Sequence, residues 1–156
     1  MKEIFLFLFV CWGLIVQAQT KESTYVKKEF LIIYSGNDYA SCHKKAVEAS
    51  TKLKVKLNLR QLNANKAIGL SLSEMNCESE HGFFPCYVAR GKNDDGAYVS
   101  IEYSDAYIDF EKGNYLVILS SYPGGHAGNR LLFERAQKIY KEAVLKSSKV
   151  YTGCIH

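Results

Sequence analysis

The chain contains one strand–helix–strand pattern twice, and this repeat limits its fold more than any other feature of the sequence. The two copies span residues 30–62 and 115–155, and each has an apolar strand, a helix-like stretch and an alternating strand. Two such units in one chain of 156 residues predict an α+β fold. Both helices should lie on one face of a four-stranded antiparallel sheet, in a split β-α-β arrangement.

The apolar pattern separates central strands from edge strands. Residues 30–35 and 115–119 are apolar at both alternating positions, as in strands that are buried on both faces. Residues 57–62 and 149–154 mix apolar and polar side chains. We therefore expect the first pair at the centre of the sheet and the second pair at its edges, as in a ferredoxin-like fold.

The predicted helices cover residues 38–53 and 129–145. The second carries one apolar stripe at i, i+3, i+4 and i+7 spacing, and the first carries a weaker stripe. Asp38 and Asn129 each lie shortly after a glycine and are expected to be the N-caps.

The N-terminal residues have the pattern of a secretory signal peptide. Lys2 precedes an apolar run over residues 4–16, and Gln17-Ala18-Gln19 forms a small-residue exit. We assign residues 1–19 to the signal peptide, 20–29 to a loose lead-in and 30–156 to a single domain. The protein should be exported, to the periplasm or the cell exterior, and no segment has the roughly 18 apolar residues of a membrane span.

The net charge of +4 is spread over predicted helix surfaces. A dispersed charge of this kind indicates solvated helix faces, with weak attraction to anionic wall polymers or lipid headgroups as the alternative. Nucleic acid is not expected as a partner, because the chain has no basic-aromatic motif. The oligomeric state stays open.

Four cysteines follow the signal peptide, and an even number in an exported chain predicts disulfides. Cys77 and Cys86 are close in sequence and flank Gly82 and Pro85, so a local bridge is the simplest pairing. The pairing of Cys42 and Cys154 stays open, although a bond between these two is not expected.

Cys77 and Cys86 lie in an insertion between the two halves, residues 63–113. The insertion should add a strand, over residues 98–103, to the sheet or cover its edge.

No motif predicts catalysis, a metal or a cofactor. Residues 93–95 lack the spacing of an EF-hand, and Cys42 and His43 are helix neighbours that point about 100° apart. The glycines of residues 122–129 precede a helix but do not form a phosphate-binding motif. We therefore predict a non-enzymatic binding protein.

The sheet face opposite the helices is the candidate binding surface. The central strands are apolar on both faces, and the helices cover one face only, so the insertion, a partner or a ligand must lie on the other. Tyrosines with polar neighbours suit sugar rings. The predicted site consists of Tyr34, Asn58, Arg60, Tyr115 and Tyr151.

The two apolar strands and the helices after them resemble the halves of a SPOR domain. The resemblance lies in Phe30–Gly36 with Ala40, Ala46 and Leu53, and in Tyr115–Tyr122 with Ala136 and Ala143. It implies a ferredoxin-like fold that binds peptidoglycan glycan strands on the open sheet face. The chain departs from the family in its long insertion, its cysteines and Ser-Ser in place of Gly-Ser.

Residues 98–104 and 150–156 also resemble small exported bacterial proteins without a known activity. The alternative to glycan binding is a module that docks on another envelope protein or on itself.

Overall fold

The computed structural model describes residues 24–153. The predicted signal peptide and Cys154 lie outside the described residues. The regular elements, in chain order, are β1 Tyr25–Gly36, α1 Tyr39–Leu53, β2 Asn63–Asn65, β3 Gly69–Ser71, α2 Glu74–His81, β4 Gly96–Tyr103, β5 Tyr115–Pro123, α3 Ala127–Gln137 and β6 Val144–Tyr151.

An antiparallel four-stranded sheet in the order β4-β5-β1-β6 forms the framework. The two strands that are apolar on both faces, β1 and β5, lie at the centre, as predicted, and β6 is one edge. The β1–β5 register shifts on either side of Ile32, which marks a bulge in the ladder. The strands β2 and β3 form a separate hairpin.

The prediction that residues 57–62 form an edge strand is wrong. Only Leu57 forms an isolated bridge there, to Val99. Arg60 and Gln61 have φ of 57° and 56°, in the left-handed region, which is incompatible with an extended strand. The second edge is β4, the strand that was predicted within the insertion.

The helices α1 and α3 pack on one face of the sheet. Leu31 and Ile33 of β1, with Val117 and Leu119 of β5, meet the buried helix residues there. This helix-side cluster comprises Leu31, Ile33, Cys42, Ala46, Ala49, Leu53, Val55, Val99, Ile101, Val117, Leu119, Leu132, Ala136, Tyr140 and Ala143. Its alanines let the helix backbones approach the sheet closely.

Asp38 is the N-cap of α1, as predicted, and its carboxylate accepts hydrogen bonds from the backbone N–H groups of Ala40 and Ser41. The prediction that Asn129 is the N-cap of α3 is wrong. His126 is the cap, and its Nδ1 accepts from the Gly128 N–H. Asn129 instead lies buried in the first turn, where its amide donates to the Glu29 carbonyl and carboxylate of β1.

The second of the two predicted helices, α3, is shorter than predicted, and part of the predicted loose lead-in is a strand. α3 ends at Gln137, because the chain from Val144 onwards pairs with β1 as an edge strand. Residues 25–28, predicted as a loose lead-in, extend β1 and pair with residues 148–151. Tyr140 and Ala143 are still buried, but in the turn that joins α3 to β6.

The insertion covers much of the other sheet face. Tyr107 and Phe110 pack on Phe30, Ile32, Leu116, Ile118 and Val150, which point away from the helices. The Phe30 ring meets both aromatic rings edge-on, at centroid distances of 5.0 and 5.7 Å. Of the three alternatives that the sequence left open for this face, the insertion is the one that covers much of it, and it forms a second core there.

Cys77 and Cys86 are at bonding distance, with 2.04 Å between their sulfur atoms, as the sequence predicted. The pair joins α2 to the segment that leads onto the sheet. Cys42 is buried with a free thiol, 3.6 Å from the Tyr115 carbonyl oxygen. No helix in residues 24–153 is long and apolar enough to cross a membrane.

Candidate functional site

The sheet face opposite the helices has two parts of different chemistry. Over β4 and β5 the insertion buries a cluster of charged and polar side chains. Near the start of β6, between the sheet and residues 110–111, a cleft of about 420 Å³ remains open.

Arg90 is fully buried at the centre of the polar part. Its guanidinium donates to the carbonyl oxygens of Gly96, Tyr98 and Ile118, at 2.8, 2.8 and 3.2 Å. It also donates to the hydroxyls of Ser100 and Ser121 and stacks 3.6 Å from the centroid of the Tyr98 ring. Burial lowers the Arg90 pKa from its ordinary value. Every nitrogen of this group is bonded, so Arg90 holds the insertion on the sheet.

Glu102 is the buried carboxylate of the same cluster. It accepts from the Tyr87 hydroxyl at 2.7 Å, from the Arg90 backbone N–H at 3.2 Å and from Arg60 Nη1 at 2.9 Å. Burial, and then the Glu102 charge, raises the pKa of Tyr87 well above 10, which keeps this hydroxyl a donor.

Arg60 balances the charge of Glu102. Its Nε lies 3.2 Å from the Asp94 carboxylate and its Nη2 donates to the Val88 carbonyl oxygen. Burial disfavours the Arg60 cation, but Glu102 and Asp94 outweigh that cost and raise its pKa. The left-handed backbone at Arg60 costs energy for a residue with a Cβ, and it turns this side chain into the insertion. Arg60 is therefore already occupied by protein groups.

The open cleft has an apolar floor and a charged rim. Ile32 and Leu116 of the central strands and Phe110 of the insertion supply buried apolar surface. The rim carries the exposed side chains of Glu111, Glu142 and Lys146. Tyr34, Ser35 and Val144 complete the lining.

The five predicted site residues do not come together. Tyr34 lines the cleft, but it also packs against the helix-side cluster. Tyr115 lies against that same cluster, and its hydroxyl donates to the Gly69 carbonyl oxygen at 3.0 Å. The prediction that both share the face opposite the helices is wrong for Tyr115, because residues 115, 117 and 119 alternate towards the helices.

The other two predicted residues lie away from the cleft. Asn58 is exposed, and its side-chain oxygen accepts from the Arg60 backbone N–H at 3.0 Å. Tyr151 ends β6, seven residues or about 23 Å from Val144 in the cleft. Its ring meets Tyr25 edge-on at 5.3 Å.

Sequence reasoning missed both the polar cluster and the cleft rim. Ser100 and Glu102 alternate with Val99 and Ile101, a pattern that predicts solvent exposure for the polar pair, yet both are buried. Glu111 and Glu142 are far apart in sequence, and only the fold places both of them on the rim of one cleft.

A second apolar cleft of about 420 Å³ lies beside the disulfide loop. Ile68, Pro85, Val88 and Ala106 are among its lining residues. Phe83, which also lines it, is 41% exposed, and the neighbouring Phe84 is 45% exposed.

Within residues 24–153, no group of three or more His, Cys, Asp or Glu side chains is placed to hold a metal ion. No protein-family model, curated protein or solved structure matches this chain.

Proposed function

We propose that the protein is an exported, non-catalytic binding protein that holds a glycan strand of peptidoglycan in the cleft between β1, β6 and residues 110–111. One observation carries the proposal: the insertion covers most of the sheet face opposite the helices and leaves this part of it open. The disulfide pair Cys77–Cys86 supports export, because such bonds persist in oxidising compartments.

The chemistry of the cleft suits a sugar ring. Ile32, Leu116 and Phe110 offer an apolar floor to the C–H face of a ring. Glu111, Glu142 and Lys146 offer acceptors and donors to its hydroxyl and amide groups at the rim. An apolar lining with a few polar groups is the usual composition of a small-molecule site.

We also propose that the chain has a ferredoxin-like fold of the SPOR type. The sheet order β4-β5-β1-β6, with α1 following β1 and α3 following β5, supports the assignment. In this reading the long insertion restricts the binding face to one end of the sheet.

Co-sedimentation with purified peptidoglycan sacculi tests the function. The wild type should pellet with sacculi, and Val144→Trp, which fills the cleft from an exposed position, should reduce pelleting at least tenfold. Tyr34→Ala should also weaken pelleting. Tyr151→Ala is the matched control, since that tyrosine lies at the far end of β6.

Circular dichroism melting curves establish that each variant is folded. Wild-type protein that stays in the supernatant at every salt concentration would exclude glycan binding. Equal loss of pelleting in Tyr151→Ala and Tyr34→Ala would exclude the cleft as the binding site.

The apolar cleft beside the disulfide loop favours a second candidate function, self-association or docking on another envelope protein. Phe83 and Phe84 are large, exposed aromatic side chains of the kind found at interfaces. Light scattering that shows a dimer, lost in Phe83→Ser/Phe84→Ser, together with no pelleting on sacculi, would support this candidate over glycan binding.

A further inference from the structure

The helix layer is the most basic part of the chain. On the helix layer, residues 39–56 and 127–143, nine Lys and Arg face three Glu, which leaves +6. In residues 63–113, four Lys and Arg face nine Asp and Glu, which leaves −5. Within that segment, Asp94 and Glu102 are paired with Arg60 and Asp95 with Lys28, whereas the helix layer has a large excess of cations.

The cations of the helix layer are largely exposed. Lys44, Lys54 and Lys138 are exposed to solvent. Within the described part of the chain, the ion pairs of this layer are those of Lys45 and Lys52 with Glu48, at 3.8 and 2.7 Å. Most of the positive charge is thus available to an external partner.

Large aliphatic side chains are exposed among these cations. Leu131 on α3 is 65% exposed, Ile139 just beyond α3 is 43% exposed, and Val47 on α1 is 42% exposed. Val47 lies one helical turn from Lys44, and Leu131 lies about two turns from Lys138, so aliphatic and basic groups share the outward sides of the helices.

We propose that the outer face of the helix layer is a peripheral docking surface for a membrane rich in anionic phospholipid. The lysines and arginines would attract the headgroups, and the three aliphatic side chains would enter the boundary between headgroups and acyl chains. A soluble polyanion would use the cations alone and leaves the exposed Leu131, Ile139 and Val47 unexplained. The surface is separate from the glycan cleft, which lies on the opposite face.

Vesicle co-sedimentation of the full chain tests the proposal. The protein should bind vesicles of phosphatidylcholine with phosphatidylglycerol at least tenfold more tightly than vesicles of phosphatidylcholine alone, and salt should weaken the binding. Lys44→Gln/Lys54→Gln/Lys138→Gln should reduce binding by about tenfold or more, since each surface cation contributes to attraction. Lys66→Gln/Lys92→Gln/Lys112→Gln, with the same net charge but changed within residues 63–113, should bind nearly as well as the wild type.

A second set of variants separates a lipid surface from a soluble polyanion. Leu131→Ser/Val47→Ser/Ile139→Ser keeps every charge and should lose vesicle binding severalfold while retaining any binding to soluble polyphosphate. Met75→Ser/Ile108→Ser, which changes exposed apolar residues of the insertion, is the control. Equal binding to both vesicle types, equal loss in the two lysine variants, or no effect of the aliphatic substitutions would each overturn the proposal.

Discussion

At the scale of single residues, the buried ion pair of Arg60 and Glu102 connects the loop after α1 to β4. Glu102 is completely buried, and the Arg60 side chain is 16% exposed. A buried pair of charges adds little net stability, but removing one partner leaves the other charge without compensation in a place that excludes water.

Arg60→Met should therefore lower the free energy of unfolding by about 3 kcal/mol. Arg60→Met/Glu102→Met should recover part of that loss, because neither charge is then left buried alone. Urea denaturation of the wild type, both single variants and the double variant gives the coupling energy, which should exceed about 1 kcal/mol. Additive single effects would show that the two side chains do not act as a pair.

Gly69 is the second residue on which local structure depends. Its φ is +80°, and a Cβ at this position would overlap the ring of Tyr103. Its carbonyl oxygen accepts the hydrogen bond of Tyr115. The β2–β3 hairpin is thereby held against the end of β4 and the start of β5.

Gly69→Ala should destabilise the protein by about 3 kcal/mol, from overpacking and from the left-handed backbone. Gly124→Ala is the matched control, since a Cβ there would meet nothing within 4 Å. Thermal unfolding should show a clearly lowered melting temperature for the first variant and almost none for the second. Similar melting temperatures for both would contradict the close packing at Gly69.

At the scale of elements, Asp109 covers part of the edge strand β6. Asp109 accepts a hydrogen bond from the Lys149 backbone N–H at 3.1 Å, and its own N–H donates to the Ser148 hydroxyl. An exposed strand edge is a template for pairing with another chain, and a carboxylate in this position blocks it.

Asp109→Ala should expose the Lys149 N–H and increase self-association through β6. Sedimentation velocity over a range of protein concentrations measures this, and Glu78→Ala, at an exposed position on α2, serves as the control for charge. A monomeric Asp109→Ala protein at every concentration would show that Asp109 does not protect the edge.

At the scale of the whole molecule, a buried thiol and two buried tyrosine hydroxyls make the free energy of unfolding depend on pH in the alkaline range. Burial, and then the Asp38 charge, raises the pKa of the Cys42 thiol from 9.0 to about 11. Burial likewise raises the pKa values of Tyr87 and Tyr107 well above 10. Folding favours the neutral form of each group. Its contribution to the free energy of unfolding is therefore complete below the pKa that the group has in the unfolded chain, and it is lost as the pH rises through the pKa that the group has in the folded protein.

The free energy of unfolding should thus fall progressively above about pH 9. Urea denaturation at several pH values from about 8 to about 11 measures the slope. In Cys42→Ala the decrease between about pH 9 and about pH 11 should be smaller, because the thiol no longer titrates. A constant free energy across this range would contradict the burial of these groups.

The repeated strand–helix–strand pattern determined much of the framework. The central strands, β6 as an edge, α1 with its Asp38 cap and the Cys77–Cys86 pair follow from apolar periodicity and local spacing, which depend on neighbours in sequence. The helix layer on one face follows from the same pattern.

Only the tertiary structure decided which strand forms the second edge and what covers the other sheet face. Residues 57–62 alternate as a strand does, but Arg60 and Gln61 turn away so that Arg60 reaches Glu102, 42 residues further along. Arg90, Glu102 and the rim of the cleft become buried or adjacent through contacts that are distant in sequence. Periodicity reports which side of an element a residue occupies, whereas the partner on that side is set by the packing of the whole chain.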